Sequence, residues 1–365
     1  MTEYELKCLP IAPADHSAME KARQRQAELA KPPGSLGKLE DYSIRLAGIT
    51  GKVKNEIKKC RVIVLAADNG VTAEGVSSAP TSVTLSQVIN MTRHITGMSS
   101  LAYYFGNEVV VADLGIDTDR RIPGVLDRKI RRSTGNIAKE RALTRQQVLD
   151  AMSVGLDLAA DAAKDGVNAV GVGEMGIGNT TTSAAVLSVL TGATPEAVTG
   201  RGGGLTDQAF AVKKQVITTA LALHHPDQED AVDVLSAVGG LDLAAMTGVF
   251  LGCALQRIPA VVDGFISIVA ALCACRLNSN TKDFLFLSHA SYEIGYRLAA
   301  AELGLEPCLL LDMRLGEGSG CPIAFQILKA ACAVMNGMGT FAEAAIQDDY
   351  LEPIRAQDSF TVNAP

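Results

Sequence analysis

From Arg61 onward one pattern recurs: a short apolar run that closes on polar residues and glycine. Residues 61–67 end in Asp68-Asn69-Gly70, 108–112 in Asp113-Leu114-Gly115, and 169–172 in Gly173-Glu174-Met175-Gly176. Residues 259–262 end in Asp263-Gly264, 284–287 in Ser288-His289, and 309–311 in Asp312. Runs this short and apolar suit strands buried on both faces. Helically spaced stretches separate most of them, at 86–105, 144–163, 181–190, 208–223, 265–276 and 290–303. The alternation predicts an α/β fold with a parallel sheet and right-handed crossovers. The polar strand ends then share one edge of the sheet, where open α/β folds bind ligands. Asp68, Glu174, Asp263 and Glu317 belong to that crown.

The last strand end is the richest. Leu315-Gly316-Glu317-Gly318-Ser319-Gly320 sets one carboxylate among three glycines, ahead of helical spacing from Ile323 to Ala331. Glycine lets a ligand approach the main chain closely. An acid that complements the helix dipole would account for Glu317 but not for the glycines. Glu317 therefore reads as a ligand-facing carboxylate. Asp68 and Asp263 read equally as ligand groups and as helix caps. Asp242, in Val238-Gly239-Gly240-Leu241-Asp242, is open between ligand binding and helix packing.

Composition narrows the partners. A net charge of −7, 4% aromatic residues and no tryptophan argue against nucleic acid or an anionic membrane surface. The basic segment Arg120, Arg121, Arg128, Lys129, Arg131, Arg132 reads first as a solvated loop or subunit contact. Eight cysteines form no CxxC pair and the histidines are scattered, so no metal is expected and the thiols read as reduced. The start is polar rather than a signal peptide. The longest apolar stretch, 258–275, is broken by Asp263-Gly264, whereas a membrane span needs about 20 apolar residues. A cytoplasmic protein is expected, with a loose tail at 357–365. Residues 17–57 look mainly helical around Lys31-Pro32-Pro33-Gly34-Ser35, with Ser35 expected to cap the helix through Leu39 and Leu46.

Gly171-Val172-Gly173-Glu174-Met175-Gly176 matches the GxGxxG dinucleotide pattern after a strand. Glu174 would repel a pyrophosphate there, and no ribose-binding acid ends a strand about 20 residues on. An NAD-dependent oxidoreductase is thus the last-ranked reading. Asn179-Thr180-Thr181-Thr182-Ser183 and Thr199-Gly200-Arg201-Gly202-Gly203-Gly204 each lead into a helix, with Lys213 and Lys214 on the second. Free amides and hydroxyls at such sites hold phosphate. The second loop suits a monophosphate, and a nucleoside triphosphate is not indicated, because the GKS or GKT ending is absent.

KPPGSLGKLE (31–40), NMTRHITG (90–97), GVGEMGIGNTT (171–181), VGGLDLAAMTGV (238–249), VVDGFIS (261–267) and RLGEGSG (314–320) stand in register. Through them the chain, from about residue 10 to 345, resembles the nicotinate mononucleotide:5,6-dimethylbenzimidazole phosphoribosyltransferases of cobamide lower-ligand synthesis. The resemblance implies a Rossmann-like six-stranded parallel sheet in residues 59–329. It adds a small helical domain from 1–58 and about 330–365, and a dimer, either homodimer or heterodimer with a homologous subunit. It implies transfer of the phosphoribosyl group of nicotinate mononucleotide to an acceptor base, with Glu317 as base and Glu174 as a second acid. Ala79, Gln87, Met175 and Leu315 would form the acceptor pocket. Gly176, Asn179, Thr180, Gly202, Gly203, Lys213, Asp263, Gly264, Ser291 and Gly316 would hold the phosphoribosyl and nicotinate groups. No cofactor or metal is implied, since nicotinate mononucleotide is a substrate.

The chain departs from the family where acceptors are chosen. The family's ADHG reads Ala67-Asp68-Asn69-Gly70, a pocket serine is Ala79, and a pocket leucine is Met175. Some relatives use phenol or p-cresol and work as a heterodimer of related subunits. The acceptor therefore stays open between a benzimidazole and a phenolic, and a non-catalytic or half-site subunit is the alternative role.

Overall fold

The computed structural model describes residues 1–356; the expected tail at 357–365 lies outside them. One unit comprises Met1–Ala12 and Lys59–Ala324, the other Pro13–Lys58 and the chain from Phe325 on. The division differs from the expected one at the first twelve residues. Glu3 pairs with Arg145 at 2.6 Å and Asn280 Nδ2 donates to Ile11 O at 2.8 Å, long-range contacts that no local pattern announces.

The large unit holds a six-stranded parallel sheet: β1 Cys60–Ala67, β2 Glu108–Gly115, β3 Leu126–Asp127, β4 Ala169–Met175, β5 Ala260–Val262 and β6 Leu285–Leu287. Their order is β3-β2-β1-β4-β5-β6. β1 and β4 are buried along their whole length, as their mostly apolar character dictates. The order reverses between them, and a crevice opens at such a reversal. Leu65 pairs with Glu174 and Val172 with Val262, so Asp68, Glu174 and Asp263 emerge on one edge.

One expected strand is not there. Leu309 makes a single bridge to His289, while Leu310 and Leu311 are 84% and 49% exposed. The sixth strand is instead β3, an exposed pair at the opposite edge. Three apolar residues are too few for periodicity to separate a strand from a loop.

The expected helix at 86–105 is two, Ser82–Thr92 and Gly97–Tyr104. His94 at φ 58 breaks it, and Thr96 restarts it through a reciprocal cap with Ser99. Helix Leu241–Leu255 crosses Arg145–Lys164 where Gly155, Gly248 and Gly252 leave no room for a methyl group, so the two backbones touch. Asp263-Gly264 turns the apolar stretch 258–275 from β5 into helix Phe265–Leu277. No helix among the described residues is long and apolar enough to cross a membrane.

In the small unit, Ala18, Ala22, Ala47 and Met335 form a core between His16–Glu28, Lys38–Thr50 and the later part of Cys321–Gly337. Arg25 Nε donates to Met335 O at 3.1 Å. Ser35 does not cap the helix. Gly37 occupies that position without a side-chain bond, and Glu40 reaches back to Leu36 N at 2.9 Å and to Lys31 at 2.8 Å.

Candidate active site

The loop that carries Glu317 is held by other carboxylates through its backbone. Asp263 Oδ2 accepts from Gly318 N at 3.0 Å and Oδ1 from Gly320 N at 2.7 Å. Glu174 Oε1 accepts from Glu317 N at 3.3 Å. Glu317 sits at φ 63 between Gly316 at φ 84 and Gly318 at φ 88, a left-handed turn that costs a non-glycine residue roughly 1–2 kcal/mol. Beneath it, a methyl on Gly173 would overlap the Glu317 carbonyl. Strand β4 needs its glycine for this approach.

The Glu317 carboxylate itself is aimed by elements distant in sequence. Gln87 Nε2 donates to Oε1 at 3.2 Å, and Met98 N donates to Oε2 at 3.1 Å. Met98 lies in the first turn of Gly97–Tyr104, whose free amides favour an anion. The result is a buried carboxylate, fixed in direction, at the wall of a cavity of about 260 Å³.

Other acids crowd the same edge. Glu174, Asp242, Asp263 and Asp68 are all buried. Asn179 Nδ2 donates to both Glu174 Oε2 and Asp242 Oδ2, the latter at 3.1 Å. Burial, then the charge of Asp242, pushes Glu174 up to about 8. Burial pushes Asp263 up to about 7 and Asp242 up to about 6, and it raises Asp68. Burial also pulls His289 down to about 4, so its 3.7 Å approach to Asp263 is a contact of a neutral ring, not an ion pair.

Behind Thr180, which lines the cavity, Lys213 is 1% exposed, and its Nζ donates to Thr180 Oγ1 at 2.8 Å and Gly200 O at 3.0 Å. Burial pulls it down to about 8. Gly202, at φ 57, lies against Thr180 Oγ1. A buried ammonium and a hydroxyl meet beside a glycine-rich backbone, groups of the kind that hold an anion.

A family model described as Phosphoribosyltransferase matches residues 11–346, nearly the whole chain. The chain belongs to the nicotinate-nucleotide–dimethylbenzimidazole phosphoribosyltransferase family. A protein of that name from Clostridium perfringens is 50% identical over 348 residues, 95% of this chain and 96% of its own. One from Clostridium tetani is 44% identical over 346 residues, 94% of this chain and 96% of its own. The crystal structure of CobT from Thermus thermophilus superposes with a TM-score of 0.88 at 39% identity, covering 91% of this chain and 99% of that one.

For this family member, the cavity gathers most of the residues singled out from sequence. Ala79, Gln87, Glu174, Met175, Gly176, Asn179, Thr180, Gly202, Gly203, Gly264, Ser291, Leu315, Gly316 and Glu317 line it. Two are set back. Lys213 is behind the Gly200–Gly203 backbone, and Asp263 lies under the Glu317 loop with both oxygens engaged by loop amides. Asp242 is fully buried behind Asn179.

Sequence reasoning missed Ser77, Ser78, Val83, Phe265, Glu293 and Arg314 among the lining residues. Phe265 opens the helix after Asp263-Gly264, a position that strand-end reasoning reaches one residue too early. Glu293 and Arg314 carry no local signal. The GxGxxG glycines serve the fold: Gly173 admits the Glu317 carbonyl, and a methyl on Gly176 would overlap Ala67 O. The basic segment borders a separate cavity of about 430 Å³. There Lys129 is tied to Asp113 at 2.9 Å, and Arg132 to Asp117 and Asp119 at 2.8 Å.

Proposed function

We propose that this chain transfers the phosphoribosyl group of nicotinate mononucleotide to a lower-ligand base, releasing nicotinate and forming an α-riboside 5′-phosphate. The observation that carries it is the Glu317 carboxylate, aimed by Gln87 and Met98 in a cavity that also holds Thr180 and Gly202, with Lys213 bound to Thr180 behind them. A base and a phosphate site in one cavity suit an acceptor and a nucleotide.

The acceptor is a weak nucleophile until it loses a proton. Glu317 takes that proton as the acceptor atom bonds to the ribose anomeric carbon. The electrons of the glycosidic bond return to the pyridinium nitrogen, so nicotinate leaves neutral at nitrogen. One displacement inverts the β-nucleotide to the α-riboside. Burial and the charge of Asp242 push Glu174 up to about 8, which disfavours a second full charge beside Glu317. Lys213 and the glycine amides hold the 5′-phosphate. The chemistry calls for no metal or redox cofactor.

The relatives' names support 5,6-dimethylbenzimidazole as acceptor. Ala79 and Met175, which line the cavity, change its polarity and shape through a lost hydroxyl and a flexible thioether, and this favours testing phenol and p-cresol beside it. We place the reaction in the cytoplasm, in a dimer. The test is product analysis on the purified chain with nicotinate mononucleotide and the three acceptors in competition. Absence of every riboside phosphate, from chain that is folded, would remove the proposal.

A further inference from the structure

Asp68, Glu174, Asp242, Asp263 and Glu317 meet at the carboxyl edge of the sheet, and among the described residues none of them forms an ion pair with lysine or arginine. Crowded acids in a dry site cannot all ionise, and they hold protons jointly. Hydrogen bonding decides where the proton rests. Asp242 accepts from Leu243 N at 2.9 Å, in the first turn of Leu241–Leu255, and from Asn179 Nδ2 at 3.1 Å. A helix N-terminus favours the charged form. Glu174, one amide away, has Asn179 Nδ2 and the longer 3.3 Å bond from Glu317 N. It is the poorer anion of the two.

We propose that Asp242, which does not reach the cavity, is a positioning residue whose carboxylate, held against Glu174 by the shared amide of Asn179, keeps Glu174 in its neutral form beside Glu317. The role rests on the transferase reading of Glu317 and Glu174. The other groups facing the pair have partners of their own. Asp68, at the end of β1, accepts from Asp117 N at 2.8 Å, and Asp263, after β5, is engaged by Gly318 and Gly320. On the cavity side Arg314 is exposed over Tyr292, and Lys213 is bound to Thr180. After burial, the charge of Asp242 is what most raises Glu174.

Infrared difference spectroscopy on the full chain reads this directly, through the carbonyl band of a protonated carboxylic acid. Beside the band of Asp263, which titrates near pH 7, the native chain should show a component that titrates near pH 8 and is absent from Glu174→Gln. In Asp242→Asn it should titrate about one pH unit lower, and the alkaline limb of kcat/KM should move down with it. Folded Asp242→Asn with the band and limb unmoved would overturn the inference. If that variant does not fold, the native spectrum still decides: absence of the component that titrates near pH 8, or its survival in Glu174→Gln, overturns it. The band is read without turnover, so failure of the transferase assay in the native chain bears on the proposed function alone.

Discussion

The backbone N–H of Met98 donates to Glu317 Oε2 at 3.1 Å across a separation of 219 residues. The proposed base is thus stabilised by the helix Gly97–Tyr104, far from its own place in the chain. With Gln87 on the other oxygen, both carboxylate oxygens have a fixed partner and the group has one direction left to face.

Replacing Glu317 with Gln keeps the shape but removes the proton acceptor. Turnover should fall by about 10²–10⁴-fold, as for loss of a general base, while the KM for nicotinate mononucleotide stays within a few-fold. Steady-state nicotinate release measures both, and near-native kcat would dismiss the role.

Asp263 acts on catalysis through the loop. An asparagine there has one acceptor oxygen for the two amides of Gly318 and Gly320. Misplacing Glu317 by about 1 Å should cost about 10²-fold in kcat. A change confined to KM would instead make Asp263 a binding group.

Gly173→Ala places a methyl against the Glu317 carbonyl. Overpacking of this kind destabilises by about 1–3 kcal/mol, and here it should lower kcat as well, since the obstructed atom belongs to the proposed base. Urea unfolding paired with kinetics checks it; a stable, fully active variant contradicts the close approach.

Lys213→Ala removes a charged donor from the phosphate end, a loss of about 1.5–3 kcal/mol. The KM for nicotinate mononucleotide should rise about 10–100-fold with kcat less affected. Because burial pulls Lys213 down to about 8, the native KM should climb above pH 8 as the ammonium is lost. The variant should be flat there.

Stability should fall between pH 6.5 and 8. Glu174 and Asp263 are raised to about 8 and 7, so the folded chain holds protons that the unfolded chain has already released. Their contribution is complete below the ordinary carboxylate range and is lost as pH rises through those values. His289, pulled down to about 4 from 6.5, acts oppositely but only below that window. Thermal melts across the window should show Tm declining, less so in Asp263→Asn; a rising Tm would contradict the assignments.

Much of the fold was legible. Mostly apolar runs mark β1 and β4, and the polar residues after them mark the active edge, because a strand buried on both faces can be polar only where it ends. Glu174 was visible for that reason, and Glu317 through the glycines on either side of it. The last apolar run misled, since Leu309–Leu311 has a strand's composition but not its pairing, and β3 has the pairing without the composition.

Sequence by itself determined the reaction edge, the acid at its centre and, through six motifs in register, the family. Tertiary structure decided what each acid is for. Glu317 faces the cavity because a distant helix and Gln87 hold it, Asp263 is diverted to the loop's amides, and Asp242 is set one amide behind Glu174. Local pattern reports where a carboxylate leaves its strand. Its partner, and therefore its proton, depends on contacts between segments that only the packed chain brings together.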